Sequence, residues 1–236
     1  MSFAPFKEGV ERTTRDAPYE LLALPPESPI PPWSTPGYAL EDWYTPPRAL
    51  LLFAHPDDET LFAGGLMLRY PEWQWRLVCM TGIDERQEEL DHAVSLYRQA
   101  GVNIVSSLSA ELPDRYKPSD RAMWLREVQD QRSQWETDIV FTHGYRGEYG
   151  HHHHIWCNLA VHMIFDNVWD FLSPCWRVKQ LAKTIVREVP TTHEKRRLFE
   201  TAYGRTAQGL FENAPWITDM QMNGWPEYFT QGVLGV

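Results

Sequence analysis

From residue 49 to residue 142 the chain alternates unbroken apolar runs with amphipathic stretches. ALLLFA, at 49–54, has the continuous hydrophobicity of a strand buried on both faces, and the following ETLFAGGLMLRY suits a helix despite Gly64-Gly65. WRLVCMT predicts a second strand. DERQEELDHAVSLYRQAG then places Leu90, Ala93, Val94 and Tyr97 at helical spacing and stops on Gly101. NIVSSL predicts a short third strand, Ser119-Asp120 can cap a helix carrying Trp124, Leu125, Val128 and Trp135, and DIVFT is again a buried strand. Beyond His154 the pattern predicts a helix to about Asn167, a strand near VKQLAKTIV, a helix from Thr192 to Tyr203 and an aromatic tail. Strands alternating with helices specify an α/β fold, Rossmann-like, with three layers α/β/α and a mostly parallel sheet.

The first 48 residues break this rhythm. Ten of the 18 prolines fall there, in stretches such as LPPESPIPPW that cannot hold long helices or central strands. Residues 1–48 therefore read as a Pro-rich extension, and Trp33, Tyr38, Trp43 and Tyr44 as the side chains that pack it along a domain spanning 49–236.

Composition adds exclusions. A formal net charge of -10 argues against a nucleic-acid partner, and the one basic cluster, Lys195-Arg196-Arg197, is flanked by Glu194 and Glu200. No apolar run approaches the roughly 18 residues of a membrane span, and MSFAPFKEGVERTT lacks the order of a signal peptide, so the expectation is a cytoplasmic protein without a transmembrane segment. Three widely spaced cysteines suggest neither a disulfide framework nor a thiolate zinc site. Whether the chain forms a homo-oligomer stays open.

Two clusters carry candidate chemistry. The first strand runs into AHPDDE, where Pro56 biases His55 toward extended backbone and Asp57 and Asp58 fall at a helix start. Adjacent residues in such a turn point in different directions, so one carboxylate can ligate a metal while the other handles a proton; simple helix capping by Asp57, Asp58 and Glu59 is the competing reading. DIVFT leads into HGYRGEYG and then HHHHIWCNLAVHM. If His151 opens a helix there, His151 and His154 share a side at i and i+3, whereas His152 and His153 point round it. His55, Asp58 and one of these histidines would give two nitrogens and one oxygen, the pattern of catalytic zinc, which also suits iron(II).

AHPDDE after a buried strand, followed by GEYGHxxH, resembles the LmbE-like or PIG-L family of zinc-dependent de-N-acetylases, over roughly residues 48–205. The resemblance implies an LmbE-like fold, Zn2+ held by His55, Asp58 and His154, and Asp57 as general base. It further implies that His151 stabilises the oxyanion or protonates the leaving amine, and that Tyr149 approaches the carbonyl oxygen. TGIDERQEE is similar to the family segment in which an arginine and a glutamate lie near the substrate sugar, which implies substrate-binding roles for Arg86 and Glu89. The family usually has proline and an acid or amide where His152 and His153 stand. The activity implied is hydrolysis of an N-acetyl group on an N-acetylglucosamine-like glycoside or glycoconjugate. Two alternatives remain, an amidase for a thiol conjugate or antibiotic precursor and a non-catalytic metal-holding sugar-binding protein. His143 reads as a packed polar residue, and His92, His162 and His193 as structural.

Overall fold

Strand β1 (Arg48–Phe53) lies at the centre of the sheet, with β2 (Gln74–Thr81) on one side and β4 (Ile139–Thr142) on the other, both parallel to it. The computed structural model describes residues 45–82, 85–114, 117, 120–171, 186–189, 193–213 and 227–231, all within the unit Tyr38–Val233. Strand β3 (Ile104–Leu112) pairs parallel outside β2, and β5 (Val168–Phe171) parallel outside β4. The far side closes with two antiparallel pairings, β5 with β7 (Glu227–Gln231) and β7 with β6 (Val186–Val189), giving the order β3-β2-β1-β4-β5-β7-β6.

The helices are α1 (Asp58–Arg69), α2 (Glu85–Gln99), α3 (Arg121–Gln134), the single turn α4 (Gly147–Gly150), α5 (His152–Ile164), α6 (His193–Ala202) and α7 (Gly204–Asn213). Because successive strand residues face opposite ways, β1 feeds two cores. Ala49, Leu51 and Phe53 pack with Phe62 and Leu66 of α1, Leu90 and Tyr97 of α2, and Leu198 and Phe199 of α6. Leu50, Leu52 and Ala54 pack with Trp124 and Val128 of α3 and with Cys157 and Val161 of α5. Each large side chain so buried contributes about 1.5–3 kcal/mol, and the predicted three-layer α/β arrangement is the result. The chain builds outward from β1 through β2 to β3, then returns to place β4 on β1's other side. That reversal opens a crevice beyond the carboxyl ends of β1 and β4, where AHPDDE and the histidine loop emerge.

Differences from the sequence reading concentrate late in the chain. The helix expected to run to Asn167 ends at Ile164, and VWDF forms β5 instead. Of the expected strand near VKQLAKTIV, residues 178–185 lie outside the described residues and Val186 opens β6, and the aromatic tail contains α7 and β7. Asp120 sits at the N-cap position of α3 but makes no side-chain cap hydrogen bond. The expected extension lies, up to residue 44, outside the described residues. Among the described residues no helix is long and apolar enough to cross a membrane.

Gly64-Gly65, awkward for a helix, has a packing reason. A Cβ on Gly64 would come 2.4 Å from Tyr97 Oη and 3.2 Å from Lys195 Cγ. Lys195 is fully buried, donates to the Leu61 carbonyl at 2.7 Å and pairs with Glu227 at 2.7 Å. Glu227 in turn accepts the Gly65 and Leu66 N–H groups, so β7, α6 and α1 meet at the two glycines.

Gly64→Ala gains about 1 kcal/mol of helix propensity but overpacks this junction, at about 1–3 kcal/mol. Urea denaturation is expected to show net destabilisation; a variant more stable than the wild type would refute the close approach.

Candidate metal centre

The turn after β1 separates its two aspartates. Asp57, at the N-cap of α1, has φ 119° and ψ -33°, a left-handed conformation that costs a non-glycine residue on the order of 1–3 kcal/mol. Its N–H donates to Glu59 Oε2 at 3.0 Å, and its carbonyl accepts the Thr60 and Leu61 N–H groups. Glu59 is fixed in its turn by the hydroxyls of Thr60 and Tyr203, both at 2.6 Å. Gly82, at φ 112°, lets the exit of β2 pass under Pro56; a Cβ there would meet Pro56 Cγ at 2.5 Å.

Held this way, Asp57 faces Arg86, whose Nη2 donates to Oδ2 at 2.9 Å, while Asp58 turns inward to the histidines. The separation of the two carboxylates expected from the sequence is therefore present. Arg86 also donates to the Pro56 carbonyl, to Glu89 and to Thr206 Oγ1, so Arg86 borders Asp57 directly and Glu89 lies behind it.

His55 Nδ1 lies 3.1 Å from Asp58 Oδ2, His154 Nε2 lies 3.4 Å from the same oxygen, and the two nitrogens are 3.3 Å apart. Ligands about 2.0–2.1 Å from a tetrahedral metal are separated by about 3.4 Å. The three atoms form such a triangle, and their chemistry suits zinc or iron(II) equally.

Two residues outside the expected set shape this corner. Glu148, fully buried in α4, accepts from Nδ1 of His143 at 3.1 Å, from Nδ1 of His154 and from the Gly144 N–H at 2.8 Å. Committing Nδ1 of His154 to Glu148 leaves its Nε2 lone pair facing the triangle. His143, read from sequence as packing, stacks on His154 with ring centroids 3.8 Å apart, and its Nε2 accepts the Ala54 N–H at 2.9 Å. That bond uses the lone pair a metal would need, so His143 braces the ligands without being one. His162, also read as structural, is 2.8 Å from Asp170.

The histidine run differs from expectation. His151 is not the first residue of the helix but its extended N-cap, at φ -70° and ψ 124°. Three of the four rings gather at the site as a result: those of His151 and His154 lie 4.8 and 5.2 Å from that of His55, and His153, expected to point round the helix, lies 5.3 Å from it. His152 is exposed. The Tyr149 side chain lies outside the described residues.

The electrostatics divide the groups sharply. Burial raises the Asp57 carboxyl to about 7 against the opposing pull of Arg86, with Asp58 adding to the rise. Asp58 is buried too, but His154 and His143 outweigh the burial and hold it well below the usual range. Burial lowers His154 to about 4, and burial lowers His151 to about 3. Neutral imidazole at His154 beside an ionised Asp58 is the protonation state that accepts a divalent cation.

An open α/β protein with a histidine and carboxylate triad at its topological switch point is thus defined by fold and site. More particularly, residues 50–165 match the family model of PIG-L, described as GlcNAc-PI de-N-acetylase. The match covers less of the chain than the resemblance in residues 48–205. Among solved structures, the conserved protein TT1542 from Thermus thermophilus superposes with a TM-score of 0.54 at 16% identity, covering 79% of this chain and 95% of that one. The A40926 pseudoaglycone deacetylase Dbv21 superposes with a TM-score of 0.57 at 11% identity, covering 80% and 98%. Both likenesses establish the shared fold. No curated protein matched the sequence.

Glu148→Ala is expected to weaken zinc binding by about 10–100-fold, measured by chelator competition. Unchanged affinity would show that His154 needs no such brace.

Proposed function

We propose that this protein is a metal-dependent hydrolase that removes an N-acetyl group from an amino-sugar substrate, with zinc as its resident ion. The observation that carries the proposal is the triangle of His55 Nδ1, Asp58 Oδ2 and His154 Nε2 beside a separately held carboxylate, Asp57. The family description supports amide hydrolysis on N-acetylglucosamine, and the deacetylase named among the structural neighbours agrees with it. A cytoplasmic setting is proposed with it, supported by the buried free thiols of Cys79 and Cys157.

His55, Asp58 and His154 would hold the ion, which when bound supplies Lewis acidity that polarises a carbonyl and acidifies water. Asp57 is assigned as base. Arg86 engages its Oδ2 and fixes the carboxylate plane, leaving Oδ1 to take a proton from the attacking water. A carboxyl raised to about 7 by burial both accepts that proton and returns it, so Asp57 is also assigned to protonate the departing amine. His151, neutral at working pH, is assigned to donate an N–H to the developing oxyanion, an interaction typically worth about 3–4 kcal/mol. Tyr149 is placed beside it on the family resemblance alone. Arg86, beside Asp57, and Glu89, paired with Arg86, are both partly exposed and are assigned to the substrate's hydroxyls on the solvent side.

Acetate release from a panel of acetylated amino sugars, with metal content measured in parallel, tests the assignment. His154→Ala is expected to lose metal and activity together, whereas Asp57→Asn keeps the metal and loses about 10²–10⁴-fold in turnover. An Asp57→Asn protein that is metal-free, or fully active, would defeat it. The native metal content also distinguishes zinc from iron.

A further inference from the structure

His153 has no part in the reading above, although the structure buries it against the outer edge of the metal corner. If a metal is to sit on His55 Nδ1, the ring's remaining proton must be on Nε2. That Nε2 lies 3.0 Å from Nδ1 of His153. Asp114 Oδ1 flanks the pair, 3.5 Å from His55 Nε2 and 3.4 Å from His153 Nδ1. Metal-ligating histidines donate their second N–H to an acceptor that fixes the ring and raises its basicity. Glu148 does this for His154; for His55, the residues in position are His153 and Asp114.

We propose that His153 is a positioning residue for the metal: its Nδ1 accepts the His55 Nε2–H, Asp114 Oδ1 lies beside that N–H as a second, longer acceptor, and this outer bond holds His55 in its ligating orientation. The inference rests on the metal assignment to His55, Asp58 and His154. The buried imidazole, not the carboxylate, is the principal acceptor. The Asp114 side chain is 71% exposed, at a distance beyond good hydrogen-bond range, whereas that of His153 is 6% exposed and its ring packs 5.3 Å from that of Trp124. Accepting at Nδ1 puts the His153 proton on Nε2, and that buried atom has no hydrogen-bond partner among the described residues. A second ion bound by His55 Nε2, His153 and Asp114 would instead require His55 as an imidazolate, stripped of both ring protons.

The test uses the full chain and zinc or cobalt(II) as probe. His153→Leu keeps bulk and removes the acceptor, His153→Gln carries its amide one bond further out, and His153→Asn places its Oδ1 near the position of Nδ1. By chelator competition the Leu and Gln variants are expected to bind zinc about 10–100-fold more weakly, with an altered cobalt d–d spectrum. The Asn variant should recover most of the affinity and the wild-type spectrum, while all metal-free variants melt together. Wild-type affinity in both His153→Leu and His153→Gln, equal losses in all three variants, or two metal equivalents in the wild type would overturn the inference while leaving the metal triad standing. A wild type that takes up no zinc would sink the triad and this inference together.

Discussion

Glu148 accepts from His143, from His154 and from the Gly144 N–H, and the orientation of the whole corner follows from those three bonds. Two imidazoles on one carboxylate oxygen must both donate through Nδ1, so both Nε2 atoms look the other way. One faces the metal triangle; the other takes the Ala54 N–H and ties the loop after β4 to the end of β1. Glu148 has a left-handed φ of 54°, and its fully buried bonds hold that backbone in place. A carboxylate in this position also offsets the positive charge that a divalent ion would bring into an otherwise apolar interior.

The neighbouring aspartates show how one turn produces two chemistries. Asp57 and Asp58 are adjacent in sequence and both buried, yet one is pushed up and the other held down. What differs is the company: a single guanidinium for Asp57, several imidazole nitrogens for Asp58. The strained backbone of Asp57 is what turns the two side chains apart, so the division of labour originates in a dihedral angle.

Much of this was legible in the sequence, for identifiable reasons. The runs around β1, β2 and β4 are apolar without interruption because both sheet faces are covered, and such runs are hard to misread. AHPDDE and GEYGHxxH mark the two segments that the fold brings together at the candidate site. β5 is not announced because no glycine or proline separates Ile164 from Val168, so the helical pattern carries on to about Asn167, up to the edge of VWDF. Glu148 was hidden as a lone acid between glycines, where loop chemistry is the natural reading. The spacing rule pairs His151 with His154 and leaves His153 out, because it considers the helix alone; His153 joins the site because His55 and Asp114 approach the next side of that helix. Asp114 reaches the site only through tertiary folding, and no local pattern announces it.

The junction at Gly64 and Gly65 links events far apart in time as well as in sequence. The bonds from Gly65 and Leu66 to Glu227 span 162 and 161 residues, and the partner that neutralises Glu227 arrives only with α6. Helix α1, whose first residues are the acids of the site, therefore cannot reach its final packing until the last described strand has been synthesised. On the ribosome, the turn that carries these acids emerges early and packs late.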